Sequence, residues 1–322
     1  MNATTRIPLN LFGVPFGLAG LANAWYYAGV HDQAPEAVAD VLLAISAVVW
    51  VVVLVLYVQS ATRHRSLAAD LTDPVLGPFG ALVVITPMVL ALDGVVPHAL
   101  ALGRVLVDVC VALVVVSGAW YTGQWIYGPL EYIKLHPGYF LPTVAGGLLA
   151  SAAAGAVHQE RLAQVMFGFG LICWLILGSM VLARLMFGPP LPPPLTPTLA
   201  IEVAPAAAAT LAYLSIHGDR IDASAAAIGG YGLLMALAQI RLLPAFLRLS
   251  FVPGFWAFIF SWTAVVTAAL HWLVDLQPNG WRVYGYLLLA AVSALVAAIA
   301  TRTAVAIGRG ELLPAAVPHP TS

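Results

Sequence analysis

Five side chains in this sequence have the right type and placement to move a proton or hold an ion: Asp93, Arg104, Asp108, Glu202 and His271. Each falls within, or at the edge of, a long apolar stretch. Ionisable groups at such depth mark ion paths, proton relays or ligand sites. Glu202 lies three residues before Pro205, about one turn ahead of the point where proline removes a helical hydrogen bond. It could line the mouth of a path, tune the field there or carry a proton. It could equally be an acid that snorkels to nearby water. Asp93 and Arg104 flank a short loop. Arg104 and Asp108 are four apart, so on one helix they share a face and are expected to pair.

The residues that would make an enzyme are missing from this arrangement. The eight histidines, His31, His64, His98, His136, His158, His217, His271 and His319, stand mostly at loop positions. They form no HxxxH or HExxH pair and no His/Asp cluster with metal-ligand spacing. Paired axial ligands for an intramembrane haem are absent, since only His271 is even a candidate. There is no Gly-rich phosphate loop and no GxSxG. Cys110 and Cys173 lie inside apolar segments without a CxxC, and they read as small buried hydrophobes. No catalytic residue, metal or cofactor is expected.

A different chemistry is suggested by PGFWAFIFSW, residues 253–262. On a helix advancing about 100° per residue from Phe255, Phe258 falls near ~300° and Trp262 near ~340°, on one face. Thr263, Phe260, Thr267 and His271 fall between about 80° and about 160°, on another. Trp256 lies near the edge of that second stripe and is left undecided. Phe260 is therefore a large apolar ring on the only stripe of this helix that carries hydroxyls and a histidine. It is either ordinary inter-helix packing or a plug in a wet passage.

The elements that must position these residues are membrane helices. The chain has 322 residues, is 61% hydrophobic and 8% charged, and has a net charge of −1. A soluble domain carries about 25% charged residues, so this composition defines an all-α integral membrane protein and gives no sign of a nucleic-acid partner. Ten stretches approach the roughly 20 apolar residues needed to cross a bilayer: 11–29, 38–59, 78–95, 99–120, 138–157, 161–186, 197–216, 223–243, 253–273 and 283–307. MNATTRIPLN does not read as a signal peptide, so the first stretch is expected to stay as a helix. Residues 1–309 then form one ten-helix transmembrane domain, and 310–322 form a short disordered tail. GPPLPPPLTP (188–197) is a stiff linker between helices six and seven.

Lys and Arg set the orientation. Nine (Arg6, Arg63, Arg65, Lys134, Arg184, Arg241, Arg248, Arg302, Arg309) fall on the N-terminal side and four (Arg104, Arg161, Arg220, Arg282) on the other. The positive-inside rule places both termini in the cytoplasm. Prolines set the layering. Pro15, Pro87, Pro142 and Pro205 stand inside helices one, three, five and seven, whereas the even helices have none before their ends. A carbonyl freed by proline needs protein or water beside it. The odd helices are therefore expected as a kinked inner ring and the even ones as an outer ring, in five hairpins. A path along the ring would be lined by Gly13, Pro15 and Gly17 of helix one, Thr86 and Pro87 of helix three, and Pro142, Thr143 and Gly146 of helix five. Glu202 and Pro205 of helix seven and Thr263 and Thr267 of helix nine would complete it, with Phe260 as its gate.

Five stretches resemble a known family in its own order: FGVPFGLAGLANAW (12–25), HPGYFLPTVAGG (136–147), IEVAPAAAATLAYLSI (201–216), GYGLLMALAQIRLLP (230–244) and GFWAFIFSW (254–262). The family is the bacterial tellurite-resistance/C4-dicarboxylate transporter family, to which the slow anion channels of plant guard cells are related. The resemblance implies ten helices with pseudo-five-fold symmetry around a central pore and a homotrimer with one pore per protomer in the bacterial inner membrane. It also implies a phenylalanine at position 260 that occludes the pore, and small anions such as chloride and nitrate as permeants. Dicarboxylates such as malate, tellurite or sulfite belong to particular members. Two features depart from the pattern. Helix nine has only Pro253 at its start, and Glu202 is acidic where an apolar residue is expected. A proton-coupled carboxylate or oxyanion transporter is the alternative.

Overall fold

A computed structural model describes residues 6–31, 34–128 and 130–313, and its regular structure among these is helical. The long helices are α1 (Gly13–Val30), α2 (Glu36–His64), α3 (Leu82–Gly94), α4 (Leu100–Tyr127), α5 (Gly146–Ala156), α6 (Glu160–Phe187), α7 (Ala204–His217), α8 (Ala223–Phe246), α9 (Trp256–Leu276) and α10 (Trp281–Gly308). A short helix, Leu67–Thr72, lies between α2 and α3. Counting the 3₁₀ and π turns that lead into them, α2 to α10 are long and apolar enough to cross a membrane. The first segment is less apolar, because four glycines, Asn23, Tyr26 and Tyr27 interrupt it. Leu312 and Leu313 pack back on the core, and the remainder of the expected tail lies outside the described residues.

The layering expected from the prolines is present. In the spans that contain α3, α5, α7 and α9, 56–72% of residues are buried; in those of α2, α4, α6, α8 and α10 only 6–28% are. The odd helices touch in a closed order, α1 on α3, α3 on α5, α5 on α7, α7 on α9 and α9 on α1. The even helices pack behind them and turn apolar side chains outward, as lipid-facing helices must.

Each odd helix begins with irregular backbone: 3₁₀ turns at Leu9–Phe12, Gly77–Ala81, Pro137–Tyr139, Thr196–Val203 and Pro253–Phe255, and a π segment at Leu141–Ala145 that contains Pro142. Such segments leave carbonyls that lipid cannot satisfy. The outer helices supply the donors. Ser46 Oγ of α2 donates to Pro15 O at 2.7 Å, and Trp50 Nε1, also of α2, to Val83 O at 3.2 Å. Tyr121 of α4 donates to Gly77 O at 2.6 Å, and Gln239 of α8 to Leu199 O at 2.7 Å. Val83 is the residue four before Pro87, so the Trp50 indole replaces the N–H that proline lacks.

The expected Arg104–Asp108 pair does not form. Arg104 donates to Val157 O at 2.6 Å, and Asp108 accepts from Gln159 Nε2 at 2.8 Å. A helix-surface pair contributes only about 0.2–0.5 kcal/mol. The unbonded carbonyl at the end of α5 and the loop amide beyond it offer stronger partners.

His136 introduces the fifth span. It is fully buried, its Nε2 sits 3.0 Å from Val75 O, and its Nδ1 accepts from the Gly138 N–H at 3.1 Å. Only the neutral ring with its proton on Nε2 satisfies both contacts. Burial, with the charge of Arg184 adding, lowers its pKa from 6.5 to about 4. Between those values the unfolded chain binds the extra proton, so stability is complete above about pH 6.5 and declines as pH falls towards about 4. The loss expected by the lower limit is about 3 kcal/mol. Thermal unfolding in detergent at a series of pH values checks it: His136→Gln flattens the decline, and an unchanged slope in that variant would show the histidine is not its source.

Candidate functional site

A cavity of about 240 Å³ lies inside the ring and is walled by all five odd helices. The α1 wall is Phe16, Gly20, Asn23 and Tyr27, a stripe repeating every three to four residues, with Tyr26 beside it. The α9 wall is Phe260, Thr263, Thr267 and His271. The α7 wall is Ile201, Ala204, Pro205, Ala208, Leu211 and Ser215, the α5 segment adds Phe140, Leu141, Ala145, Leu149 and Ala152, and α3 adds Val89, Leu92 and Asp93. Tyr27, Asp93, Asp219 and His271 stand around the end of the cavity at the C-terminal ends of the odd helices, its distal mouth, and Phe260 lines it nearer the opposite end.

The Phe260 ring is 5% exposed and lies against Phe16, with centroids 5.1 Å apart and planes at 45°. The α1 glycines form the trough that receives it. A Cβ on Gly13 would stand 3.9 Å from Phe260 Cε1, and one on Gly20 would lie 3.9 Å from the Phe260 Cα and collide with Thr263 Oγ1. The other aromatics of PGFWAFIFSW turn elsewhere. Phe258 meets Phe246 of α8 edge-on at 4.8 Å, Phe255 packs on Phe251 at 5.6 Å, and Trp256 donates to Thr303 Oγ1 of α10 at 3.0 Å.

The wall is poor in free donors. Thr263 Oγ1 donates to Phe260 O at 3.2 Å, Thr267 Oγ1 to Thr263 O at 3.0 Å, and Ser215 Oγ to Ala212 O at 2.8 Å. Their hydroxyl protons are spent on backbone, so these three side chains offer no free donor to the cavity. The distal mouth is polar. The Tyr27 and His271 rings stack at 3.7 Å, and His271 Nδ1 lies 3.4 Å from Asp219 Oδ1 in the α7–α8 loop. The neighbouring His271 imidazole holds the Asp219 carboxyl below its ordinary range.

Of the residues expected along a path, Phe260, Pro205, Thr263 and Thr267 stand together on this cavity. Gly17 receives Ile259 and Trp256 in a helix contact, and Gly146 faces Val114 of α4. Gly13 sits beneath the Phe260 ring. Pro15 is buried on α1 with its carbonyl turned to Ser46. Thr86 is buried and donates to Leu82 O at 2.8 Å, while Pro87 opens onto a groove shared with Leu43 and Leu106 on the outer side of α3. Pro142 and Thr143 approach Gly118 of α4. Glu202 is 6% exposed and does not line the cavity; its Oε1 has no hydrogen-bond partner. The sequence reading did not single out Phe16, Gly20, Asn23 and Tyr27 as a unit. Their helical spacing, the same signal that found the α9 stripe, was there to be used.

Five inner helices walling a cavity, shielded by an outer ring of apolar helices, define a multi-pass membrane protein. The comparison with known families agrees: residues 6–304 match the SLAC1 family, described as voltage-dependent anion channel, and the chain belongs to that family. It is similar to a tellurite resistance protein TehA homolog of Haemophilus influenzae, 29% identical over 84% of this chain and 83% of that protein. It is also similar to an uncharacterized transporter of Methanocaldococcus jannaschii, 26% identical over 64% of this chain and 67% of that protein.

Proposed function

We propose that this protein is a gated, passive channel for small monovalent anions such as chloride and nitrate. Each protomer conducts through its own axial path, and Phe260 is the gate. The observation that carries the reading is the Phe260 ring, packed against Phe16 on the wall of the axial cavity. Family membership supports it, as do the Thr263, Thr267 and Ser215 hydroxyls of the wall, whose protons are spent on backbone. The reading extends to a homotrimer of pseudo-five-fold protomers in a bacterial inner membrane, with both termini cytoplasmic as the distribution of Lys and Arg favours. The test is anion current through reconstituted protein under a salt gradient, with and without Phe260→Ala.

A second reading follows from Glu202. A buried carboxyl with an unpartnered oxygen on α7's irregular lead-in suits a proton carrier in a coupled transporter of carboxylates or oxyanions such as malate, tellurite or sulfite. Under the channel reading, Glu202→Gln leaves anion flux and its response to pH unchanged. Uptake that follows the pH gradient and vanishes in Glu202→Gln would replace the channel with the transporter. Vesicle flux assays under both gradients separate the two.

A further inference from the structure

The distal half of the cavity carries charge of the wrong sign for the ions it is proposed to pass. Its lining residues include Asp93 and Asp219 but no lysine or arginine. Asp219 lies at the rim with its side chain 62% exposed, where water and salt screen it. Asp93 is different: it is 4% exposed, and both its oxygens accept from the single amide of Asn23, at 3.1 and 3.0 Å. An amide orients a carboxylate without cancelling its charge. The cation nearest in sequence, Arg104, is turned away to Val157 O. Inside low-dielectric walls an uncompensated charge acts over many ångströms.

We propose that Asp93 is the selectivity residue of the distal mouth: its charge turns anions away, and anions pass once it carries a proton. This rests on the anion-channel reading above and assigns it a control by acid. Asn23 is the positioning residue, holding the carboxyl against α1 where it faces the chamber. Other titratable groups surround it. From α1, Tyr26 and Tyr27 share the chamber, and Tyr27's hydroxyl has no partner. The start of α2 adds Glu36 and Asp40. On α4, Arg104 and Asp108 are engaged by Val157 and Gln159. The α5 helix presents none, and across the mouth stand His271 and Asp219. The carboxylates in this set reinforce exclusion. Only Asp93 is both buried and on the chamber wall.

Asp93→Asn keeps the shape and can still accept from Asn23, so it removes charge with little disturbance of packing. In the Phe260→Ala background, chloride current at neutral pH is expected to grow about tenfold on adding Asp93→Asn. Without that substitution the current rises as the distal side is acidified; with it the pH profile is flat. Asp219→Asn changes the current far less. Equal currents and equal pH profiles with and without Asp93→Asn overturn the proposal. A second measurement does not need the gate to open. In the unmutated protein, the infrared band of a protonated carboxyl grows at fixed pH when chloride replaces gluconate, since an anion that prefers the protonated site must also favour protonation. That growth is absent in Asp93→Asn. If Phe260→Ala passes no current, the gate assignment fails, and the infrared band alone then decides for or against Asp93.

Discussion

Phe260→Ala is expected to raise anion conductance in reconstituted vesicles by at least about tenfold, because on the proposed reading it removes the ring that closes the path. The ring's setting distinguishes gating from packing. A phenylalanine wholly surrounded by core costs about 3–5 kcal/mol when cut to alanine. Phe260 borders a cavity on one side and glycines on another, so its loss of stability falls below that range while conductance rises. A packing residue would do the reverse. Negligible current in the variant, with a large fall in melting temperature, would sink the assignment.

The same geometry says how firmly the gate is shut. The contact with Phe16 is an aromatic pair at 5.1 Å, and such pairs contribute about 0.5–1.5 kcal/mol beyond buried area. On the proposed reading, that contact holds the gate ring in place. Phe16→Ala therefore loosens the ring without removing it, and its conductance falls between those of the unmutated protein and Phe260→Ala.

Much of this arrangement could be read from the sequence because lipid makes polarity conspicuous. Phe260, Thr263, Thr267 and His271 stood out as a stripe because hydroxyls and a histidine repeat at helical period in an apolar segment, and the structure sets all four on one wall. The prolines identified the inner helices because a freed carbonyl must be met by protein, as Trp50 meets Val83. They do not say which side of a helix faces the axis: Pro205 lines the cavity, while Pro87 opens onto an outer groove. Glycine is equally ambiguous. Gly20 lines the cavity, Gly17 accommodates Ile259 and Trp256, and both are simply small in a sequence. The Asn23–Asp93 contact joins residues 70 apart, and no local periodicity reports it. The Arg104–Asp108 expectation failed because helical neighbours compete with a loop whose position only the tertiary fold supplies.

The other large effect is expected at Gly147, where α5 leans on α6. A Cβ built there would lie 2.7 Å from the Gly170 backbone N and Cα and 2.5 Å from Phe169 Cδ1; one on Gly170 would lie 2.7 Å from Leu148 N. Two backbones meet, so no rotamer change relieves the clash, and the helices must part. Between membrane helices there is little hydrophobic drive to restore contact, because lipid is as apolar as the interface, and close packing is the main attraction. Gly147→Val therefore costs about 3 kcal/mol, the upper end of ordinary overpacking. Most of the protein is lost from the folded fraction after a mild thermal challenge in detergent, followed by size exclusion. Gly168→Val is the matched control, two residues from Gly170 on the same helix, where a Cβ meets nothing within 4 Å; it behaves as the unmutated protein. Equal survival of the two variants would refute the contact. Should the forced separation be tolerated, Leu149 and Ala152 move with α5, and the axial cavity they line changes width with them. The seam between an inner and an outer helix thus bears on the width of the cavity, and the outer ring helps to shape it as well as shielding it.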